Sequence, residues 1–502
     1  MKLANSELIK QIDSYAESKL NIPTVRLMEL AGAAVAKEAR SLTAEGDGII
    51  ILAGKGNNGG DGYAAASLLS SDRTVTVFDV FSAGQRSSAG KHFLDACISS
   101  NVKILSGVEM LEKLLPNATL VIDAIFGTGY SGELSSELRW VADLVNSSEK
   151  TVLAVDLPLG VSSDSATVCE GAIRADRTVA LTLYKPAHLC YPAKEFMGAL
   201  SLDTLALDGY LDRFEFSTLA VDEPLFKELF PKRGITQNKG SFGKTVHITG
   251  SEKYRGAAHL ALEAALRSGV GIACHSGGGE LASELRMKYP EAIYIDEIKP
   301  VADCDPVFSA FGKYSSVLLG SGSGISRELA SLAENIIQSE GAPLVLDADG
   351  INSIAEYSSP EIFLLARRKV ILAPHPLEFA RLSGKTVEFI NANRLPVAVE
   401  FAKRYGVILL LKGAATVITD GERVYVNTSG STALAKGGSG DVLAGLISSV
   451  IAYSDDCLGA VAACAYLHGR AGDTLSAELS DYGVTPSDLP AEIARHIKFI
   501  IG

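Results

Sequence analysis

Short apolar runs alternate with glycine-rich turns and helix-like segments along most of this chain, and that alternation constrains the fold more than any other feature. GIIILAG (48–54) passes through GKGNNGGDG (54–62) into YAAASLLSS, and further runs of the same kind follow at TVTVFDV (74–80), LVIDAIFG (120–127) and TVLAVDLP (151–158). Strand–helix alternation of this kind implies a sheet covered on both faces. Strands that alternate with helices are parallel and carry the helices on their faces. Helices are expected over 5–40, broken near Asn21, Ile22 and Pro23, and again near 88–99 and 134–147. The regularity lapses at 205–235, which places a domain boundary near 212–221 and predicts domains of 1–215 and 216–502. A second alternation follows, with strands at 245–250, 271–276, 316–322, 343–349, 369–375 and 407–413. ATVITDGERVYV reads as a hairpin turning at Asp420 and Gly421, and helices are expected at 441–453, 458–475 and 487–500.

A chain of 502 residues is too long for a single hydrophobic core, in keeping with two domains. Its net charge is −13 and it has no Lys/Arg-rich run, which argues against nucleic acid or an anionic membrane as partner. Any anion it binds must be held by backbone amides and a few placed cations. The seven cysteines (Cys97, Cys169, Cys190, Cys274, Cys304, Cys457, Cys464) form no C-x-x-C pair and are odd in number, as expected of reduced thiols. The N-terminal segment lacks the apolar stretch of a signal peptide, and no run of 18 apolar residues occurs, so a cytoplasmic protein without a membrane span is expected.

At 434–445, LAKGGSGDVLAG, Gly437, Gly438, Ser439 and Gly440 lead into Asp441. Val442, Leu443, Leu446, Ile447 and Val450 then recur at helical spacing. A helix starting there aims unpaired N–H groups and its positive dipole end at the loop, which makes an anion site. Asp441 on its lip is either a capping residue or a catalytic base.

In the first half, three polar sites fall at strand ends, where ligands bind in parallel sheets. Asn57, Asn58, Gly59, Gly60 and Asp61 follow the first strand. They lie within a G-x-G-x-x-G pattern, a weak dinucleotide signal that would need an acid such as Asp79 after the next strand. Amides and carboxylates supply oxygen ligands for a hard cation or for sugar hydroxyls. Asp123 precedes a second glycine loop, and Asp156 ends AVD in AVDLPLG. Helix caps or turn residues remain alternative readings of the last two.

In the second half, Gly256 and Ala257 open a small-residue helix, and 320–324 (GSGSG) forms another strand-end loop. Asp347 and Asp349 either bind magnesium indirectly or cap a helix. His375 lies between Pro374 and Pro376 on a stiff segment, with a structural and a catalytic role both open. Lys412, Gly413, Ala414, Ala415 and Thr416 offer an ammonium and backbone amides to nucleotide phosphates. With the loop at 437–441, this arrangement resembles the ribokinase-like group, in which an Asp beside a glycine-rich anion hole deprotonates a hydroxyl that attacks a phosphoryl group.

Finer motifs point to a narrower family. IPTVRLMELAG, NNGGDG, IDAIFGTG and VDLP resemble the epimerase domain of NAD(P)H-hydrate repair enzymes. KGSFGK, VLDADGIN, LAPHPLE, LLKGAATVI, LAKGGSGDVLAG and YLHGRAGD, in that order, resemble the ADP- or ATP-dependent NAD(P)H-hydrate dehydratase. The resemblance covers nearly the whole chain. It implies an α/β protein with an N-terminal Rossmann-like three-layer domain and a C-terminal ribokinase-like domain, acting as isomerase and lyase on hydrated NADH and NADPH. In the first domain it implies substrate contacts from Asn57, Asn58, Gly59, Gly60, Asp61, Gly127, Thr128, Gly129, Tyr130, Ser131, Gly132, Glu133 and Asp156, with Asp156 also catalytic. Potassium would be held by Asn58 and Asp123. In the second it implies substrate contacts from Ala257, Gly322, His375 and Asp441, with Asp441 catalytic. Nucleotide contacts would come from Lys412, Gly413, Ala414, Ala415, Thr416 and Gly440, with magnesium and ADP or ATP consumed in the reaction. A homo-oligomer is expected. A small-molecule kinase with an N-terminal nucleotide-binding accessory domain is the alternative.

The chain departs from the family pattern at three places. Leu159 replaces a Ser or Thr that serves as a further potassium ligand, leaving a weaker or shifted ion site or one completed by backbone oxygens. Gly320, Ser321, Gly322 and Ser323 replace G-P-G-L. Leu377 replaces the glycine of HPGE, with an altered backbone beside His375 expected. Lys185 stands where the family tends to have a lysine, without an evident role.

Overall fold

The computed structural model describes residues 1–81, 86–298 and 313–501. The chain divides into two compact units, Lys2–Thr218 and Leu219–Gly502 together with Met1.

The first unit is built on a parallel sheet of seven strands. They are β1 (Gly48–Ala53), β2 (Thr74–Asp79), β3 (Lys103–Leu105), β4 (Leu120–Ala124), β5 (Thr151–Val155), β6 (Arg177–Leu181) and β7 (Ala199–Asp203), in the order β3-β2-β1-β4-β5-β6-β7. Ile49, Ile51 and Ala53 of β1 pack into one core, while Ile50 and Leu52 pack into another. Burial of consecutive residues on opposite faces is the physical origin of the continuous apolar runs. The first core is closed by α1 (Ser6–Leu20), α2 (Thr24–Leu42), α3 (Asn57–Leu69) and α4 (Ser88–Ser99), the second largely by α5 (Ser136–Ser147). Strand order reverses between β1 and β4, which opens a crevice at their carboxyl ends. Gly54 lies there because a Cβ at this position would stand 1.9 Å from the Ile125 carbonyl oxygen.

In the second unit the strands that follow the short strand Thr218–Val221 are β8 (Lys244–Ile248), β9 (Ile272–Ser276), β10 (Ile293–Ile295), β11 (Ser316–Leu319), β12 (Leu344–Leu346), β13 (Val370–Leu372), β14 (Ile408–Leu411), β15 (Val417–Thr419) and β16 (Val424–Asn427). They run β10-β9-β8-β11-β12-β13-β14-β15-β16, parallel as far as β14 and antiparallel through the hairpin. The reversal here lies between β8 and β11. Helices α6 (Arg255–Arg267), α12 (Ser439–Ile451) and α13 (Cys457–Gly483) contribute to one core with Leu318, Val345, Ile371 and Leu410. Gly445 lets α12 lie against α6, since a Cβ there would meet the Ala261 carbonyl oxygen at 2.1 Å. The remaining helices used below are α7 (Gly279–Lys288), α8 (Arg327–Gln338), α9 (Asp349–Tyr357), α10 (Pro376–Ser383), α11 (Arg394–Tyr405) and α14 (Leu489–Ile501).

Helix α3 starts at Asn57, so the glycine loop expected before Tyr63 is the helix's own first turns. Strands β3, β6, β7 and β10 escaped the sequence reading, β3 and β10 being only three residues long and β6 and β7 lying in a stretch without clear strand–helix alternation. The six described cysteines are free, and Cys304 lies outside the described residues. Among the described residues no helix is long and apolar enough to cross a membrane.

Candidate active site

The carboxyl ends of the first sheet open on a cavity of about 480 Å³ within that unit. Asn57, Asn58 and Asp61 of α3, the turn of Gly127, Thr128, Gly129 and Tyr130 after β4, and Asp156 after β5 all line it. Ile9, Leu27, Met28 and Leu181 give it an apolar wall.

Asp156 leaves strand geometry at φ +64°, the left-handed region that is uncommon for residues other than glycine. Its N–H donates to the Val179 carbonyl at 2.8 Å, and its own carbonyl oxygen lies 2.7 Å from His188 Nε2. His188 Nδ1 accepts the Lys185 backbone N–H at 2.8 Å, which assigns the ring proton to Nε2. Burial pushes this imidazole down to about 4, keeping it neutral and in that tautomer. Asp156 Oδ1 accepts the Leu181 N–H at 3.2 Å and pairs with the Lys185 ammonium, which also donates to the Leu181 carbonyl at 2.6 Å. Lys185 is 1% exposed, so Lys185 and His188 together act as a clamp on the Asp156 turn. This supplies the role that the sequence left open for Lys185.

Two further carboxyls share the cavity. Burial, reinforced by the charges of Asp156 and Asp13 and opposed by Lys185, holds Asp61 well above the usual carboxylate range. Burial also lifts Asp13 of α1 to about 6 against the pull of Lys185. Asp13 escaped the sequence reading. Its signal is an acid beside the stripe of Ile9, Ile12 and Ala16 that α1 buries.

Asp123 lies behind the cavity wall, fully buried. Its carboxylate accepts N–H groups from Ile125 at 3.2 Å and Leu159 at 2.6 Å. Burial outweighs those two bonds and lifts it to about 6. The Leu159 side chain packs into the apolar cluster under β1 and β5, so this residue reaches Asp123 through its backbone alone. Asn58 Oδ1 and Asp156 Oδ2 each lie 3.3 Å from the place of a Cβ on Gly127, and Asn58 Nδ2 is buried without a partner.

Not every residue of these motifs reaches the cavity. Gly59 and Gly60 serve close packing, a Cβ on Gly59 falling 1.9 Å from the Gly54 carbonyl oxygen. Ser131, Gly132 and Glu133 are exposed, and Glu133 pairs with Arg139 at 3.4 Å. Asp79 is ion-paired with Arg86 and lies outside the wall, which removes the acid a dinucleotide fingerprint would need.

In the second unit, Asp441 occupies the first turn of α12 at the lip of the glycine loop. Burial, then the nearby charge of Asp347, lifts its carboxyl to about 7; Lys412 opposes this, and Asp349 and Glu378 add to it. Lys412 Nζ donates to Asp347 Oδ1 at 2.8 Å and lies 3.9 Å from Glu378 Oε2. It also stands 3.4 Å from the place of a Cβ on Gly440, which sets the ammonium against the loop. Burial works against its charge, but Asp347 and Glu378 outweigh burial and raise its pKa. Asp347 Oδ2 accepts the Ser321 hydroxyl at 3.0 Å, and Asp349 Oδ2 accepts the Gly324 N–H at 2.8 Å, tying the loop after β11 to both acids. Gly322 packs against Ala257, whose Cβ lies 2.5 Å from where a Gly322 Cβ would sit. Gly413, Ala414, Ala415 and Thr416 form a turn in which the Thr416 hydroxyl donates to the Gly413 carbonyl at 2.8 Å and Ala415 takes φ +50°.

His375 caps α10. Its Nδ1 accepts the Leu377 N–H at 3.1 Å, while Glu378 returns a carboxylate to the His375 N–H at 2.8 Å. Burial, then Lys412, lowers the imidazole pKa. Leu377 sits in the first turn of α10 and is absent from the positive-φ residues, so the change from glycine expected to alter the backbone is absorbed by regular helix. Glu378, which no sequence motif singles out, joins the charge cluster around Lys412.

A family model described as NAD(P)H-hydrate dehydratase matches residues 246–495, and one described as YjeF-related protein N-terminus matches 24–187. A relative from Thermofilum pendens, named bifunctional NAD(P)H-hydrate repair enzyme Nnr, is 33% identical over 97% of this chain and 94% of its own. The chain belongs to the bifunctional NAD(P)H-hydrate repair enzymes. A member of that family from Escherichia coli K12 is 29% identical over 97% of this chain and 92% of its own. Among solved structures, a hypothetic protein from Streptococcus mutans is 29% identical, with a TM-score of 0.50, over 57% of this chain and all of its own. The ADP/ATP-dependent NAD(P)H-hydrate dehydratase from Bacillus subtilis, co-crystallized with ATP/Mg2+, is 27% identical over 56% of this chain and 97% of its own, with a TM-score of 0.49. Like its family, the chain is an enzyme of NAD(P)H-hydrate repair.

Proposed function

We propose that the first unit interconverts the R and S hydrates of NADH and NADPH and that the second unit dehydrates the S form at the expense of ADP or ATP. The observation that carries this reading is Asp441: a carboxyl lifted to about 7, on the lip of a glycine loop, with Lys412 beside the loop. A base with a pKa near the working pH is ionised often enough to act and basic enough to accept a proton. The hydrate carries a hydroxyl on the ring carbon next to nitrogen. Hydroxide leaves poorly, but a phosphorylated oxygen leaves with help from the nitrogen lone pair. Asp441 takes the hydroxyl proton as the oxygen attacks the terminal phosphoryl group of the nucleotide. Lys412 and the Gly440 N–H at the start of α12 offset the charge that develops. Departure of phosphate, and loss of a proton from the neighbouring ring carbon, then restore the dihydropyridine. Gly322 and Ala257 give the ring a flat approach, and His375 borders it on a rigid cap. Asp347 and Asp349 are the carboxylates suited to magnesium, which supplies charge neutralisation at the phosphates when bound.

In the first unit, Asp156 faces the same reacting carbon and the apolar wall receives the ring. Potassium fits Asn58 and Asp123, since both offer oxygen donors and Asp123 is a fully buried carboxylate with no ion pair among the described residues. The Leu159 side chain cannot join that donor set. Isolated S and R hydrates, each with ADP or ATP, test the reading through absorbance at 340 nm. Recovery of reduced cofactor with phosphate release is expected. Phosphate transfer to a small alcohol without cofactor recovery would establish a kinase instead.

A further inference from the structure

We propose that Asp13 is a catalytic residue of the first-unit cavity: it donates the proton that lets the hydrate's hydroxyl depart as water, while Asp156 activates the water that returns. This rests on reading the cavity as the site of hydrate epimerisation. Asp13 lies outside every motif of the chain, on α1 rather than on a strand-end loop. It lines the cavity beside the stripe of Ile9, Ile12 and Ala16 that anchors the helix. It makes no hydrogen bond or ion pair with another described residue, so it holds nothing together. A carboxyl half-buried in a cavity wall without a structural partner costs stability, and such positions are where ligand chemistry is found.

The charged groups of the wall are Lys10, Lys55, Asp61, Asp156 and Lys185 besides Asp13, with Tyr130 also titratable. Lys185 is ion-paired with Asp156 and, with the Leu181 N–H, fixes that carboxyl in the cavity wall. Asp61 is almost enclosed, and burial holds it well above the usual carboxylate range, so it is poorly placed to exchange a proton with solvent. Asp13 is partly exposed and lifted to about 6, which lets it deliver a proton and recover one from water.

The bond changes balance without a co-reactant. The bond from the ring carbon to its hydroxyl oxygen breaks, and the oxygen takes the Asp13 proton and leaves as water. The ring-nitrogen lone pair forms the new nitrogen–carbon π bond, giving an iminium cation. Water adds to the opposite face of that carbon, the π pair returns to nitrogen, and the proton lost by the water goes to Asp156. Exchange with solvent returns that proton to Asp13. The products are the epimer and the enzyme in its starting state.

The test uses the full chain, R hydrate without nucleotide, and chromatography of the two epimers across pH. Asp13→Asn should lower kcat about 10²-fold, the lower end of what a positioned acid contributes, with KM changed less than about threefold. Wild type should lose rate as pH rises above about 6, where Asp13 ionises, and Asp13→Asn should lack this alkaline limb. Asp13→Glu should restore part of the rate and the limb. The same preparations, given S hydrate and ADP, should dehydrate it at the wild-type rate, which verifies the folded chain. The inference is overturned if Asp13→Asn keeps kcat, or if it retains the wild-type alkaline limb. Wild type no faster than buffer overturns the cavity reading itself, and the inference with it.

Discussion

Replacing Asp441 by Asn should separate activity from stability in opposite directions. In the folded chain this carboxyl is lifted from 3.8 to about 7, mainly by burial and then by Asp347. At about 1.4 kcal/mol per unit, that rise costs the native state roughly 4 kcal/mol once both folded and unfolded forms are ionised. The group keeps some contact with solvent, so about 2 kcal/mol is the working figure. Because the folded pKa is the higher one, no penalty exists below about pH 4. It grows as pH rises toward 7 and is constant above. Asn cannot ionise, so the variant's gain over wild type should be absent at pH 4 and full at pH 8. Urea unfolding of the second unit at both pH values measures it. Dehydration of the S hydrate should fall by about 10² to 10⁴ in the same variant, and the wild-type rate should drop about tenfold per unit of pH below 7. A variant no more stable at pH 8 than at pH 4, or one dehydrating within threefold of wild type, would refute the placement of Asp441 as a burial-strained base.

Three other outcomes follow from the first unit. Lys185→Met leaves the Asp156 carboxylate buried without its counter-charge and should destabilise that unit by about 3–5 kcal/mol in urea unfolding, with epimerisation at the buffer rate. Replacing potassium by tetramethylammonium should slow wild-type epimerisation, and Asp123→Asn should be slow and indifferent to the exchange; equal sensitivity in both would remove Asp123 from the ion site. His188 is depressed from 6.5 to about 4, so the folded state binds its proton less readily than the unfolded chain. Its contribution is complete above pH 6.5 and declines as pH falls toward 4, and the acid loss in thermal unfolding should shrink in His188→Gln.

Much of the architecture is legible in residue order because burial leaves a local trace. The runs 49–53 and 407–411 are apolar throughout because β1 and β14 are covered on both faces, and Asp420-Gly421 turns the hairpin by backbone preference. Close approaches are legible too, since Gly54 in its loop and Gly445 in α12 stand where a Cβ has no room. Strand ends are less so: the reading carried strands through Asp347 and His375, while the structure stops them at Leu346 and Leu372. The glycine turn before Tyr63 became part of a helix because packing against Gly54 and Met28 admits the small residues of α3.

The site divides in the same way. Asp441, Asp156 and Asp123 announce themselves by neighbouring glycines or by a place at the end of an apolar run, and chain order alone put them at sheet edges. No local pattern could show that Lys185 and His188 clamp Asp156, that Glu378 and Asp347 share Lys412, or that Asp13 enters the cavity from α1. The Leu159 substitution reads from sequence as a lost ligand, whereas folding sends its side chain into the core and leaves its N–H on Asp123. The sequence by itself determined two parallel α/β units and the residue types able to carry phosphoryl and proton transfer, because periodicity and glycine placement are local. Only the tertiary structure decided which carboxyls are protonated near neutral pH, because that depends on burial and on charges brought together from distant parts of the chain.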